Sequence, residues 1–394
     1  MLKTNKNLLI IALIALVNML GYGIIIPILY SYSKKFGLTD FQNGLLFASF
    51  SLCQFISTPI IGRMSDKYGR RPMLLISIIG TALSFFIMAF APNFLFLFLA
   101  RALDGLTAGN IPVAFAVISD STKPEERAKA FGMISAAFNF GFIFGPAVAG
   151  LTVGFGTAVP FIIAGVITMI AVVLTYLYLP ETNKHMGEVK NEKLFDFVKM
   201  WKTLFDPNVG ATFVGSLIYF LAFSCAVIYG FQPFLINVLK ISPSLNAGIF
   251  TIFGIVGLIT QTFLVQFFNK IWGVKRSFTN SILFVAFAFL LMFFSHSLVL
   301  FVIAMVILAV FNGISQTLIP AILSQEADEK SQGSIMGLNT SYQSIGMIIG
   351  PILGGFVATY YLPLPFLVGT FLVLICYWLS FKMLKPGVHK ESAF

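Results

Sequence analysis

SDSTKPEERAKAFGMISAAFNFGFIFGPAVAG, residues 119–150, returns as SQEADEKSQGSIMGLNTSYQSIGMIIGPILGG, residues 324–355, without a gap. The offset of 205 lays Gly132 on Gly337, Gly145-Pro146 on Gly350-Pro351, and Gly150 on Gly355. A chain that repeats itself at this distance is built from two related halves. Such halves, with a ligand held near the midplane between them, are a design of secondary transporters. A channel or a receptor has little reason to carry this duplication.

Outward from the repeat, composition sets the solvent. Of 394 residues, 58% are hydrophobic and 10% charged, against roughly 25% charged in a soluble domain. No soluble core buries so much apolar surface, so lipid surrounds much of the chain. Apolar windows lie near 8–30, 41–61, 73–91, 94–119, 130–152 and 158–179, then near 209–238, 246–268, 277–295, 298–323, 334–360 and 363–384. Backbone groups in lipid must bond internally, so these are twelve helices. Six form a bundle over 1–180 and six a bundle over 208–394, joined by a cytoplasmic linker at 181–207. Lys3 and Lys6 precede an apolar run that continues to about Tyr30, too long for a signal peptide, so it is read as the first span.

Charge gives the orientation. The termini and the loops 62–72, 120–129, 181–207, 269–276 and 325–332 hold 21 of the 25 Lys and Arg, whereas the opposite face holds Lys34, Lys35 and Lys240. That asymmetry places both termini in the cytoplasm. The net charge of +10 therefore follows topology and implies no nucleic acid. The linker mixes Lys, Glu and Asp around Trp201 and Phe205. It is either an amphipathic segment on the inner membrane surface or a solvated connection. Cys53, Cys225 and Cys376 fall in apolar stretches, and His185, His296 and His389 in loops or the tail. They form no metal or disulfide spacing, and no phosphate loop or nucleophile–base pair appears. The sequence thus indicates no cofactor and no enzyme, and the proton gradient is the expected energy source.

Four segments resemble a known family. GRMSDKYGRRP at 62–72, RALDGLTAGNIPVAFAVISD at 101–120, GFIFGPAVAG at 141–150 and NMLGYGIIIPIL at 18–29 are similar to motifs of the major facilitator superfamily. Within it they resemble the twelve-span drug–proton antiporters of the tetracycline-exporter-like, multidrug-efflux branch. The resemblance implies an all-α polytopic membrane protein with the major facilitator fold, twelve transmembrane helices in two pseudo-symmetric six-helix bundles. It implies proton-coupled export of lipophilic drug-like compounds by alternating access, in the cytoplasmic membrane of a prokaryote. A transporter of one endogenous metabolite or lipid on the same fold is the alternative. The partners expected are a small lipophilic substrate, protons and membrane lipid, with the chain acting as a monomer.

The residues give these expectations an address. In the loop at 62–72, Gly62 and Gly69 supply unusual backbone geometry. The resemblance implies a gating latch in which Arg70, flanked by Arg71, pairs with Asp120, while Asp66 sits at the N-terminus of span eleven. The second half has Lys270 in place of Asp66 and Gln325 in place of Asp120, so the latch is expected on one side only. Span four carries the only charges buried in the membrane, Arg101 and Asp104, three residues apart on one helical face. A lone charge at that depth costs several kcal/mol, and at this spacing the two could pair at lower cost. Asp104 is either a proton carrier or half of a structural ion pair. The resemblance supports Arg101 more than Asp104, because acids in other spans often carry the proton in this family. Here span one offers Asn18 and span nine no acid, whereas a metal-chelated drug such as tetracycline would call for further acids. Gly141, Gly145, Pro146 and Gly150 form a packing set with an anti-leak role, repeated by Gly346, Gly350, Pro351, Gly354 and Gly355. The substrate-cavity candidates are Asn18, Tyr22, Gln54, Asn110, Asn139, Tyr219, Tyr229, Gln232, Gln261, Asn312, Gln316 and Gln343. A few polar groups in an apolar, aromatic wall suit a bulky amphipathic ligand.

Overall fold

The computed structural model describes residues 6–122, 124–183, 186–187, 196–326 and 331–383. His185 and His389 lie outside them, as does much of the linker. Twelve helices are long and apolar enough to cross a membrane. Spans one to six are Leu8–Lys34, Asp40–Tyr68, Arg70–Ala89, Phe94–Ser121, Ala130–Phe155 and Val159–Tyr178. Spans seven to twelve are Gly210–Val238, Pro243–Trp272, Val274–Phe293, Leu298–Glu326, Gln332–Ala358 and Leu364–Lys382. The number matches the twelve apolar windows, and no strand occurs among the described residues.

The ends are less simple than the windows suggest. Span two stays helical to Tyr68 and span three begins at Arg70, so the expected loop at 62–72 turns on Gly69 alone. Gly69 has φ 106° and Gly273, at the same junction of the second half, φ 75°. A side chain would strain both. Gly62 is ordinary helix with open space beside it, and the special geometry expected there is absent. Arg63 to Lys67 contains no helix breaker, so the helix continues beyond its apolar stretch.

The chain divides into two compact units. The first holds Met1–Leu38, Ser49–Leu194 and Ile241–Thr251. In it span one packs on spans five and six, and span three on spans four and six. The second holds Thr39–Ala48, Phe195–Lys240 and Ile252–Phe394, and repeats those neighbours as seven with eleven and twelve, and nine with ten and twelve. The glycines of the repeat explain how closely the helices approach. A Cβ on Gly145 would stand 2.6 Å from the Leu20 carbonyl oxygen, and one on Gly350 2.7 Å from that of Leu221. Neither contact is tolerable, so a larger residue must push the helices apart.

Each unit also includes the opening turns of a helix that continues into the other. In the first unit, Asn246 of span eight is fully buried and donates through Nδ2 to the Pro27 carbonyl at 2.5 Å. In the second, the Tyr229 hydroxyl donates to the Asp40 carbonyl of span two at 2.8 Å. Spans seven and eight contain wider π-helical stretches, Ser224–Gly230, Phe234–Val238 and Thr260–Leu264. Pro233 lies between the first two and withholds the donor that an α-helix would aim at the Tyr229 carbonyl.

Candidate functional site

Span four is two half-helices, Phe94–Thr107 and Asn110–Ser121. The cause is local. Pro112 has no N–H for the carbonyl four residues back, that of Ala108, and its ring crowds the same oxygen. The Ala108 N–H falls back to the Gly105 carbonyl at 3.2 Å. Gly109 lets the break sit tightly on span two, since a Cβ there would lie 2.6 Å from the Ile61 side chain. Interrupted helices of this kind place free backbone groups and half-helix ends at ligand and ion sites of transporters.

Asp104 and Arg101 occupy the last turns of the first half-helix, with Asp104 6% exposed and Arg101 2%. Arg101 Nη1 lies 3.3 Å from Asp104 Oδ2. The guanidinium also sits 4.4 Å from the centroid of the Phe50 ring, a cation–π contact that burial strengthens. Its Nε has no partner. Tyr22 also packs against Phe50, with ring centroids 5.8 Å apart. At the start of the second half-helix, Asn110 is buried and its Oδ1 accepts from Asn18 Nδ2 at 2.5 Å, while its own Nδ2 is unpaired. The first unit thus gathers Asn18, Tyr22, Arg101, Asp104 and Asn110 around one helix break.

At the end of span two, Arg70 joins three helices. Its Nη1 lies 2.6 Å from Asp66 Oδ1 and donates to Ser65 Oγ at 2.6 Å. Its Nε donates to Asp120 Oδ2 at 3.2 Å, the pairing expected from the sequence. Arg71 takes no part in the ion pair: its Nη2 donates to the Tyr176 carbonyl at 2.6 Å. Glu181 is a further member that no sequence motif marks. Its carboxylate accepts from the backbone N–H of Arg70 and Arg71 at 2.9 and 3.1 Å, capping span three. An anion is favoured at that helix end. Asn183 adds a donor to the Asp66 carbonyl at 2.9 Å.

The second half is better equipped than its sequence suggested. Lys275 Nζ lies 3.1 Å from Glu326 Oε1, and Thr212 donates to the other carboxylate oxygen at 2.7 Å. The acid stands one position beyond Gln325, so an ungapped alignment overlooks it. Farther into this unit, Asn312 Oδ1 accepts from the Tyr219 hydroxyl at 2.8 Å and from Gln316 Nε2 at 3.1 Å. Gln232 is fully buried. Gln54, Asn139, Gln261 and Gln343 join neither of these polar groups, and Gln261 is exposed on the π-helical stretch of span eight.

A sequence model described as the Major Facilitator Superfamily matches residues 11–264 and 212–394. Multidrug resistance protein 2 of Bacillus subtilis (strain 168) is 32% identical over 371 residues, 91% of this chain and 90% of that protein. Tetracycline resistance protein, class H, of Pasteurella multocida is 29% identical over 366 residues, 90% of each chain. The crystal structure of the nucleoside transporter NupG superposes with a TM-score of 0.81 over 97% of this chain and 100% of that one, at 14% identity. At that identity the likeness speaks for the fold.

Proposed function

This chain belongs to the Major Facilitator Superfamily, and on that premise we propose that it exports lipophilic, drug-like compounds in exchange for protons. Membership establishes a membrane-spanning transporter of small molecules. The observation that carries the finer reading is the buried Arg101–Asp104 pair at the break of span four. Protonation of Asp104 neutralises it and releases Arg101 from its partner, so the proton is felt at a helix break next to Asn18, Tyr22 and Asn110. Polar, uncharged groups set among aromatic rings, in both units, suit a bulky amphipathic substrate better than a sugar or a small anion. The names of the multidrug and tetracycline resistance relatives support export.

In this reading Arg70 with Asp66 and Asp120 is a latch on the cytoplasmic side, both termini are cytoplasmic, and the chain works as a monomer in the inner membrane of a bacterium. The latch side chains are partly exposed, and such ion pairs contribute about 0–1 kcal/mol each. That is weak enough to break in every cycle. Purified protein in liposomes with an imposed proton gradient tests the proposal. Gradient-dependent movement of lipophilic cations and neutral drugs is expected. Movement of one polar metabolite alone would favour the alternative of a dedicated metabolite transporter.

A further inference from the structure

The short linker helix Phe197–Thr203 has three distinct faces. At 100° per residue, Met200 and Thr203 share one side, and both are buried against their own unit. The Tyr342 hydroxyl of span eleven donates to the Met200 carbonyl at 2.6 Å and lies 3.0 Å from Thr203 Oγ1. Phe197, Val198 and Trp201 share a second side and are 63%, 65% and 66% exposed, and Phe205, in the turn just past the helix, is 70% exposed. Lys199 and Lys202 lie between the two. Trp201 and Phe205 pack edge to face, with centroids 5.4 Å apart.

The helix is held in place as well as docked. Asp196 accepts from the Lys199 N–H at 2.9 Å and caps its start. Asp206 accepts from the N–H groups of Asn208 and Val209 at 2.8 and 3.2 Å, fixing the turn into span seven at Gly210. Four large apolar side chains are thus fixed in the open a few residues from where a span enters the bilayer. Water is a poor neighbour for them. The lysines beside this face are complementary to phosphate.

We propose that this helix is an interfacial lipid site: Phe197, Val198, Trp201 and Phe205 insert among acyl chains, and Lys199 and Lys202 hold the headgroups of anionic phospholipids. Tryptophan and lysine are the residues that settle at a membrane interface. Contact with lipid does not depend on the orientation proposed above; only the assignment to the cytoplasmic leaflet does. Through Tyr342, and through Lys199 Nζ on Ser334 Oγ at 2.8 Å, the helix that carries the lipid is bonded to span eleven.

Full-length protein with Trp272→Phe and Trp378→Phe leaves Trp201 as the sole tryptophan. In nanodiscs its fluorescence should be quenched by phospholipids brominated near the top of the acyl chain and little affected by aqueous iodide. The unsubstituted protein, minus the signal of a Trp201→Phe variant, gives the same measurement should the single-tryptophan protein fold poorly. Anionic bromolipid should quench more than zwitterionic bromolipid at equal fraction. Each lysine is expected to contribute about fivefold to that preference, which Lys199→Gln with Lys202→Gln abolishes. Quenching by iodide without quenching by bromolipid, the behaviour of a solvated or protein-docking face, overturns the proposal. So does an equal response to both headgroups in the unsubstituted protein.

Discussion

Arg101 and Asp104 stand 3.3 Å apart, both buried, on the half-helix that Pro112 cuts short. One charge cannot be removed without isolating the other. Breaking a buried pair costs about 3–5 kcal/mol, so Asp104→Asn should lower thermal stability in detergent markedly. Adding Arg101→Gln should restore most of that stability but no transport. Equal instability of the single and double variants would show that the charges are not energetically paired.

Arg70 meets Asp120 and Asp66 from the first turn of span three. Arg70→Asp should impair transport, and Asp120→Arg in the same chain should partly restore it. Initial rates of drug efflux measure both. Absence of rescue would reduce the basic cluster to a determinant of topology.

The Lys275–Glu326 pair calls for the same treatment. Thr212 and Lys275 both donate to Glu326, whose side chain is 9% exposed. A cycle of Lys275→Met and Glu326→Gln should give a coupling energy of about 1–2 kcal/mol in unfolding. Additive effects would mean that the contact contributes nothing specific.

The two kinds of glycine in span five separate packing from propensity. Gly145→Ala drives a methyl group into the Leu20 carbonyl, and overpacking of this kind costs about 1–3 kcal/mol. Gly132 has open space around its Cβ position. Gly132→Ala should therefore be neutral or stabilise by up to about 1 kcal/mol. Thermal unfolding of the pair decides it, and equal losses would refute the close approach of spans one and five.

Much of this was legible in the sequence because lipid imposes simple rules. Apolar length gave twelve helices, and the Gly-Pro repeat pointed to two related halves. The pairing of Arg101 with Asp104 followed from their spacing and from the cost of a lone buried charge. What escaped was local backbone geometry and anything depending on a one-residue register. Pro112 withholds the N–H that the Ala108 carbonyl would accept, beside Gly109, a local relation that an apolar window smooths over. Glu326 is hidden in the sequence because Gln325 occupies the position aligned with Asp120. Glu181 acts through the N–H groups of Arg70 and Arg71, which no residue pattern displays. Trp201 and Phe205 were visible, but which side of their helix is buried depends on Tyr342, more than a hundred residues away.

The central claim is that Asp104 couples protons to export. Inside-out vesicles with an acidified lumen test it most directly, through drug-stimulated release of protons across a panel of cationic and neutral compounds. The unsubstituted protein should release protons when drug is added, while Asp104→Asn, assayed at equal amounts of folded protein, should not. Equal release by both would contradict the account.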